Sequence, residues 1–216
     1  MKDFKAALFD VDGTLLDSLD VWTEVDRVFF AERGLILPED YGASISGMSF
    51  LQTAQYTRER FHLSESTSRI MEIWREMCRE AYEKRLELKP GAAEFVRMLK
   101  KQGKKLGIVT TLPEHLYKPA LTRGGIYEAF DAFATTDESG ESKACGRVYL
   151  LCARRLNTAP EACMVFEDIA EGIEGAHRAG MKACLVYDRH NAGFEINARM
   201  SEESITDYYR EAEAWT

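Results

Sequence analysis

Short apolar runs punctuate this chain at wide intervals. The first, Ala6 to Phe9, stops abruptly at Asp10. Four more come late: Leu106 to Val109, Ala132 to Ala134, Met164 to Phe166 and Ala183 to Val186. Each reads as a short buried strand. Helical patterns lie between them. One spans Pro90 to Gln102, with Pro near its start and Gly103 just past its end. Others cover about Glu114 to Arg123, Val148 to Leu156, and Ile169 to Ala179 before Gly180. Strand and helix alternating at this rhythm predict an α/β fold, a parallel sheet with helices on both faces.

The stretch 17–89 breaks the rhythm and holds no convincing strand. Trp22, Val25 and Phe29 make one helical stripe; Ile70, Ile73, Trp74, Met77 and Ala81 make another. Gly42, Ser44, Ser46, Gly47 and Ser49 mark a flexible connection between them. The expected organisation is a core of 1–16 and 90–216, with an α-helical cap domain of 17–89 inserted after the first strand. The stretch Ile205 to Trp215 has helical spacing and is expected to dock on the core.

In a parallel sheet, ligands bind beyond the carboxyl ends of the strands. Three predicted strands end in chemically capable residues: Asp10 and Asp12, Thr110 and Thr111, and Glu167 and Asp168. Each pair alone has a plain alternative as a turn or a helix cap. Convergence at one sheet edge argues for a site. Paired carboxylates suit a hard divalent cation, and they suit division of labour between a nucleophile and a general acid/base. Four acids at close range call for such a cation or for split pKa values. Lys143, in the polar stretch Asp137 to Gly146, offers positive charge to a phosphoryl group, and Thr110 a hydroxyl. The patterns GxxxxGK[ST], HExxH and GxSxG are absent.

Composition narrows the partners. A formal net charge of -8 disfavours a nucleic-acid role. The five cysteines are odd in number and show no CxxC spacing, which fits reduced thiols in a cytoplasmic protein. No apolar run approaches membrane-spanning length, and the charged N-terminal residues do not read as a signal peptide. A small anionic substrate fits this balance, because a local cation can dominate a pocket's field, and a monomer is expected.

DVDGTLLDS at Asp10 to Ser18 resembles the first motif of the haloacid dehalogenase-like hydrolase superfamily. IVTT at Ile108 to Thr111 resembles its second, SKACGRVY around Lys143 its third, and VFEDIAEGIEGAHRAGM from Val165 its fourth. The insert is similar to the C1 cap of the β-phosphoglucomutase and phosphoglycolate phosphatase branch. The resemblance implies a Rossmann-like core, Mg²⁺ as cofactor and phosphatase activity on a small phosphorylated metabolite. Asp10 would be the nucleophile, forming an aspartyl-phosphate, and Asp12 the acid/base. Asp10, the Asp12 backbone carbonyl, Glu167 and Asp168 would hold the metal. Thr110, Thr111 and Lys143 would bind phosphate. Gly47, Met48, Ser49 and Phe50 are candidates for substrate specificity.

Several positions depart from that branch. Lys143 is followed by Ala144, Cys145, Gly146 and Arg147, without the usual prolines and aspartate, so a less rigid seat for Lys143 is expected. Trp22 stands where β-phosphoglucomutase presents a cap histidine, Phe50 near its cap arginine, and Pro113 at its phosphate-binding lysine. A mutase must grip two phosphates, and the second basic site is missing here. A β-phosphoglucomutase-type phosphotransferase is therefore the alternative reading. A receiver-like module phosphorylated on Asp10 is a remote one, since receivers are shorter and uncapped.

Overall fold

The computed structural model describes residues 3–191 and 194–215; the outermost termini of the expected core lie outside them. Strand β1 (Ala6–Phe9) leads into the insert, made of α1 (Leu19–Ala31), α2 (Tyr41–Ile45), α3 (Phe50–Arg60) and α4 (Thr67–Glu80). A wide π-turn, Ala81–Arg85, closes α4. The chain then alternates: α5 (Ala92–Lys101), β2 (Lys105–Thr110), α6 (Glu114–Arg123), β3 (Ala132–Thr135), α7 (Thr136–Ser139) and α8 (Arg147–Arg155). It ends with β4 (Cys163–Glu167), α9 (Ala170–Arg178), β5 (Lys182–Val186), α10 (Phe194–Asn197), β6 (Glu203–Ile205) and α11 (Tyr208–Ala214).

The strands form one parallel, Rossmann-like sheet of six in the order β3-β2-β1-β4-β5-β6. The chain winds outward from β1 in both directions. Asp10 therefore leaves the sheet at its centre, at the reversal of strand order, where a crevice opens. Side chains alternate across β1 as a strand requires. Ala7 and Phe9 enter one core cluster, and Ala6 and Leu8 the other. Phe9 stacks on Phe166 of β4 with ring centroids 4.4 Å apart. The side chain of Trp215, just past α11, packs on Phe4, Phe95 and Phe166, so the C-terminal segment docks on the core as expected.

Two expectations need correction. The five apolar runs miss β6, a three-residue edge strand. The connection at 42–49 is more ordered than its glycines and serines suggest. Tyr41–Ile45 forms a helical turn, and Ser49 caps α3 reciprocally with Gln52, so Phe50 opens a helix rather than sitting in a loop.

No strand lies between α1 and the π-turn. The insert has its own aromatic packing: Phe30 meets Phe61 and Tyr41 edge-on at 4.7 and 5.0 Å, and Phe29 meets Trp74 at 5.4 Å. Its two connections to the sheet run side by side. Asp17 N–H donates to Glu87 carbonyl (3.2 Å), and Lys89 N–H to Leu15 carbonyl (2.8 Å). This paired ribbon swings the helices over the carboxyl edge of β1.

Candidate active site

The floor of the crevice is charged and buried. Asp10 follows β1 and is 4% exposed; Glu167 ends β4 and is fully buried, with Asp168 beside it. Lys143 Nζ lies 2.6 Å from Asp10 Oδ1 and 2.7 Å from Glu167 Oε1. Tyr149 Oη on α8 donates to Glu167 Oε1 at 2.8 Å. Asn191, beyond β5, donates from Nδ2 to both the Asp168 carbonyl (3.0 Å) and Asp168 Oδ2 (2.5 Å). Thr14 Oγ1 reaches Asp168 Oδ1 at 3.3 Å.

Glycines make this crowding possible. Gly13 has φ +75°, and a Cβ there would sit 2.2 Å from Asp168 Oδ2. Gly172 and Gly175 lie on one face of α9. A Cβ at Gly172 would stand 2.4 Å from the Glu167 carboxyl carbon, and one at Gly175 would stand 1.9 Å from the Lys143 carbonyl oxygen. Glycine within a helix costs roughly 1 kcal/mol relative to alanine, so its place here needs a reason. The reason is that α9 must pass directly under the acidic pair and the lysine turn.

Lys143 is accordingly seated more firmly than its missing prolines suggest. It opens a 3-10 turn, Lys143–Cys145, closed by Gly146 at φ +85°, and is itself only 3% exposed. Its N–H donates to the Gly47 carbonyl of the cap at 3.0 Å. The close approach to Gly175 and the hydrogen bond to Gly47 hold this turn without prolines.

Asp12 occupies a different environment. Ser18 Oγ and Tyr82 Oη both donate to its Oδ1 at 2.6 Å. Trp22 Nε1 donates to its Oδ2 at 3.1 Å and lies 2.8 Å from Tyr82 Oη. These donors are neutral and belong to the cap or its connection. Burial pushes the Asp12 carboxyl up to about 6, with the charge of Asp10 adding to it and the three hydrogen bonds pulling back. Burial also holds the Tyr82 and Tyr149 phenols protonated, so both remain donors.

Lys143 can neutralise only part of the floor. Burial raises Glu167 and Asp168 above the usual carboxylate range, and the charge of Asp10 adds to both shifts. Burial alone would lower the Lys143 ammonium, but Asp10, Glu167 and Asp168 hold it well above its ordinary value. Asp10, Glu167 and Asp168 each offer an oxygen within 4.8 Å of the others, and Glu167 Oε2 is buried with no hydrogen-bond partner. An orphaned carboxylate oxygen inside an over-acidic cluster fits a hard, oxygen-seeking divalent cation.

A cavity of about 770 Å³ opens between floor and cap. Asp10, Asp12, Thr111, Lys143 and Asp168 line it from below. Thr110 does not reach the lining; it is buried, and its hydroxyl accepts the Leu112 N–H at 3.1 Å. Gly47, Met48 and Phe50 line the cavity from the cap side, whereas Ser49 is spent on capping α3. Tyr82, Tyr149 and Asn191 join the site without a motif that assigns them a role. Tyr82 and Asn191 carry no local signal. The two glycines inside α9 were the available hint of a tight approach to Glu167.

Fold and site together define an α/β enzyme whose buried carboxylate cluster lies below a set of inserted helices. The chain belongs to the haloacid dehalogenase-like hydrolases, whose family model matches residues 4–180. Among its relatives is hexitol phosphatase B of Escherichia coli K12, 29% identical over 84% of this chain and 82% of that protein. Another is a phosphorylated carbohydrates phosphatase of Thermotoga maritima, 28% identical over 82% of each. The crystal structure of CbbY from Rhodobacter sphaeroides in complex with phosphate is 25% identical, covers 95% of each chain and superposes with a TM-score of 0.77.

Proposed function

We propose that this protein is a Mg²⁺-dependent phosphatase that hydrolyses a small phosphorylated carbohydrate through an aspartyl-phosphate on Asp10, acting as a cytoplasmic monomer. One observation carries the reading. Asp10 meets Lys143 at 2.6 Å on the cavity floor, while Asp12, two residues on, is held by neutral donors at 2.6 to 3.1 Å. Two carboxylates in unlike surroundings suit two unlike roles.

Asp10 attacks phosphorus, and the bond to the leaving oxygen breaks. Asp12 gives its proton to that oxygen, freeing an alcohol. Asp12, now ionised, takes a proton from water, which attacks the phosphoryl group and restores Asp10. Lys143, Thr111 and Thr110 hold the transferring phosphoryl oxygens; the Thr110 hydroxyl accepts the Leu112 N–H and keeps its own proton to donate. The carboxylates of Asp10 and Asp168, with Glu167 assisting, and the Asp12 backbone carbonyl would hold Mg²⁺, whose charge offsets that of the phosphoryl oxygens. The 17–89 helices act as a cap domain that excludes bulk water during transfer.

Relatives that hydrolyse hexitol and carbohydrate phosphates, by their names, support this substrate class. The test is phosphate release from a panel of sugar and polyol monophosphates with Mg²⁺, beside Asp10→Asn and a chelated sample. Release by the wild type alone is the expected result. Full activity in Asp10→Asn would sink the mechanism. Following labelled phosphate to water, rather than to a second sugar hydroxyl, separates a phosphatase from a β-phosphoglucomutase-type enzyme.

A further inference from the structure

The cavity has a marked charge asymmetry at its cap end. Among the described residues lining it, the only cationic types are Lys143 and His190. Lys143 is engaged by Asp10 and Glu167. His190 is clamped between Asp20 at 2.7 Å and Asp188 at 3.0 Å. Arg75 does not line the cavity; its guanidinium lies over the Phe50 ring, 5.4 Å from the centroid. The cap instead offers Asp26 and Glu39, set among the hydroxyls of Thr23, Ser46 and Thr53.

Asp26 stands out among these groups. It follows Trp22 by one helical turn on α1, so the residue gripping Asp12 and the free carboxylate share a helix face. Asp26 is half-buried, lines the cavity, and makes no hydrogen bond or ion pair among the described residues. Burial pushes its carboxyl up to about 7. A half-dry carboxyl without a partner is costly to the fold. A ligand hydroxyl would relieve that cost, whereas a second anion would add like-charge repulsion that no free lining cation offsets.

We infer that Asp26 is a specificity-determining residue that favours monophosphate esters of neutral polyhydroxyl compounds and turns away substrates bearing a second anionic group. The inference rests on the phosphatase reading and narrows it.

The test compares kcat and KM for sorbitol 6-phosphate and fructose 1,6-bisphosphate, with p-nitrophenyl phosphate as a generic ester, in the wild type, Asp26→Asn and Asp26→Lys. The wild type should favour the hexitol monophosphate in kcat/KM by about 100-fold. Asp26→Asn should raise KM for that ester about tenfold with kcat changed much less, the mark of lost ground-state binding. Asp26→Lys should cut the preference over the bisphosphate at least about tenfold. A wild type that does not favour the hexitol ester overturns the inference. So does a preference that neither variant alters while both melt like the wild type. If Asp26→Lys does not fold, the KM shift in Asp26→Asn decides alone. Wild-type silence on every ester, p-nitrophenyl phosphate included, overturns the phosphatase reading and this inference with it.

Discussion

The floor and the roof of this cavity hold acids in opposite ways. The floor gathers Asp10, Glu167 and Asp168 around one ammonium, on strand ends, with glycines clearing the space. The roof holds Asp12 with a serine, a tyrosine and a tryptophan, all neutral, on helices and their connections. Placement explains the contrast. Strand ends converge at a fixed edge of the sheet, so the floor can concentrate charge. Helices that ride on a paired ribbon present apolar rings, hydroxyls and isolated carboxylates such as Asp26, and gather no comparable cluster of charge at one point. Removing a floor residue should therefore abolish chemistry, whereas removing a roof residue should tune it.

The largest effect expected is at Asp10. Asp10→Asn keeps the shape but loses the nucleophile, and steady-state phosphate release should fall by about 10⁴-fold. A fall of only tenfold would mean that the floor merely binds phosphate.

Next come the glycines of α9. Gly175→Ala sets a methyl 1.9 Å from the Lys143 carbonyl oxygen, so the lysine turn or the helix must shift. Overpacking of this kind costs about 1–3 kcal/mol, and a loss of that size should show as a lower Tm together with reduced activity. Gly172→Ala presses on Glu167 instead and should weaken Mg²⁺ activation. An exposed control, Gly103→Ala, meets no atom within 4 Å but carries φ +75°; it should cost stability without altering Mg²⁺ dependence. If Gly172→Ala and Gly103→Ala behave alike, close approach is not what α9 glycines provide.

The roof should answer more mildly. Tyr82→Phe removes one 2.6 Å donor from Asp12 and leaves Ser18 and Trp22 in place. One hydrogen bond to a charged group is worth roughly 1.5–3 kcal/mol, and two surviving donors blunt its loss. We expect kcat to fall about tenfold with KM little changed. A fall as deep as that of Asp10→Asn would erase the distinction between roof and floor.

The same contrast sets how far the sequence could be read. The floor was legible because its parts are local: an apolar run ending in Asp10, another ending in Glu167 and Asp168, and both ending at the same edge of a parallel sheet. The roof was not. Tyr82 meets Asp12 across 70 residues, with no periodicity to announce the contact, and even on the floor Asn191 meets Asp168 across 23 with no local signal. Trp22 read as one member of a packing stripe, yet its indole nitrogen turns to Asp12. Strand β6 escaped notice because its three residues, Glu-Ser-Ile, carry a polar edge rather than an apolar run. Ser49 resembles a pocket residue in sequence because a serine close after Gly47 marks a loop and a helix start equally well.

The smallest effect expected concerns stability, and it tests the roof alone. Burial pushes the Asp26 carboxyl from its ordinary 3.8 up to about 7. The folded chain thus binds this proton more tightly than the unfolded chain does. Between those two values the folded state holds more of this proton than the unfolded state, so the Asp26 contribution to wild-type stability declines as pH rises and levels off above about 7. Asp26→Asn cannot ionise and escapes that decline. Its Tm should match the wild type near pH 4 and exceed it above pH 7, by a margin worth about 1 kcal/mol after allowance for partial solvent exposure. Parallel melting curves across that range would mean that Asp26 is solvated or partnered in solution. A carboxylate whose removal stabilises the fold is kept for something other than folding, and its position on the cavity wall says where that use lies.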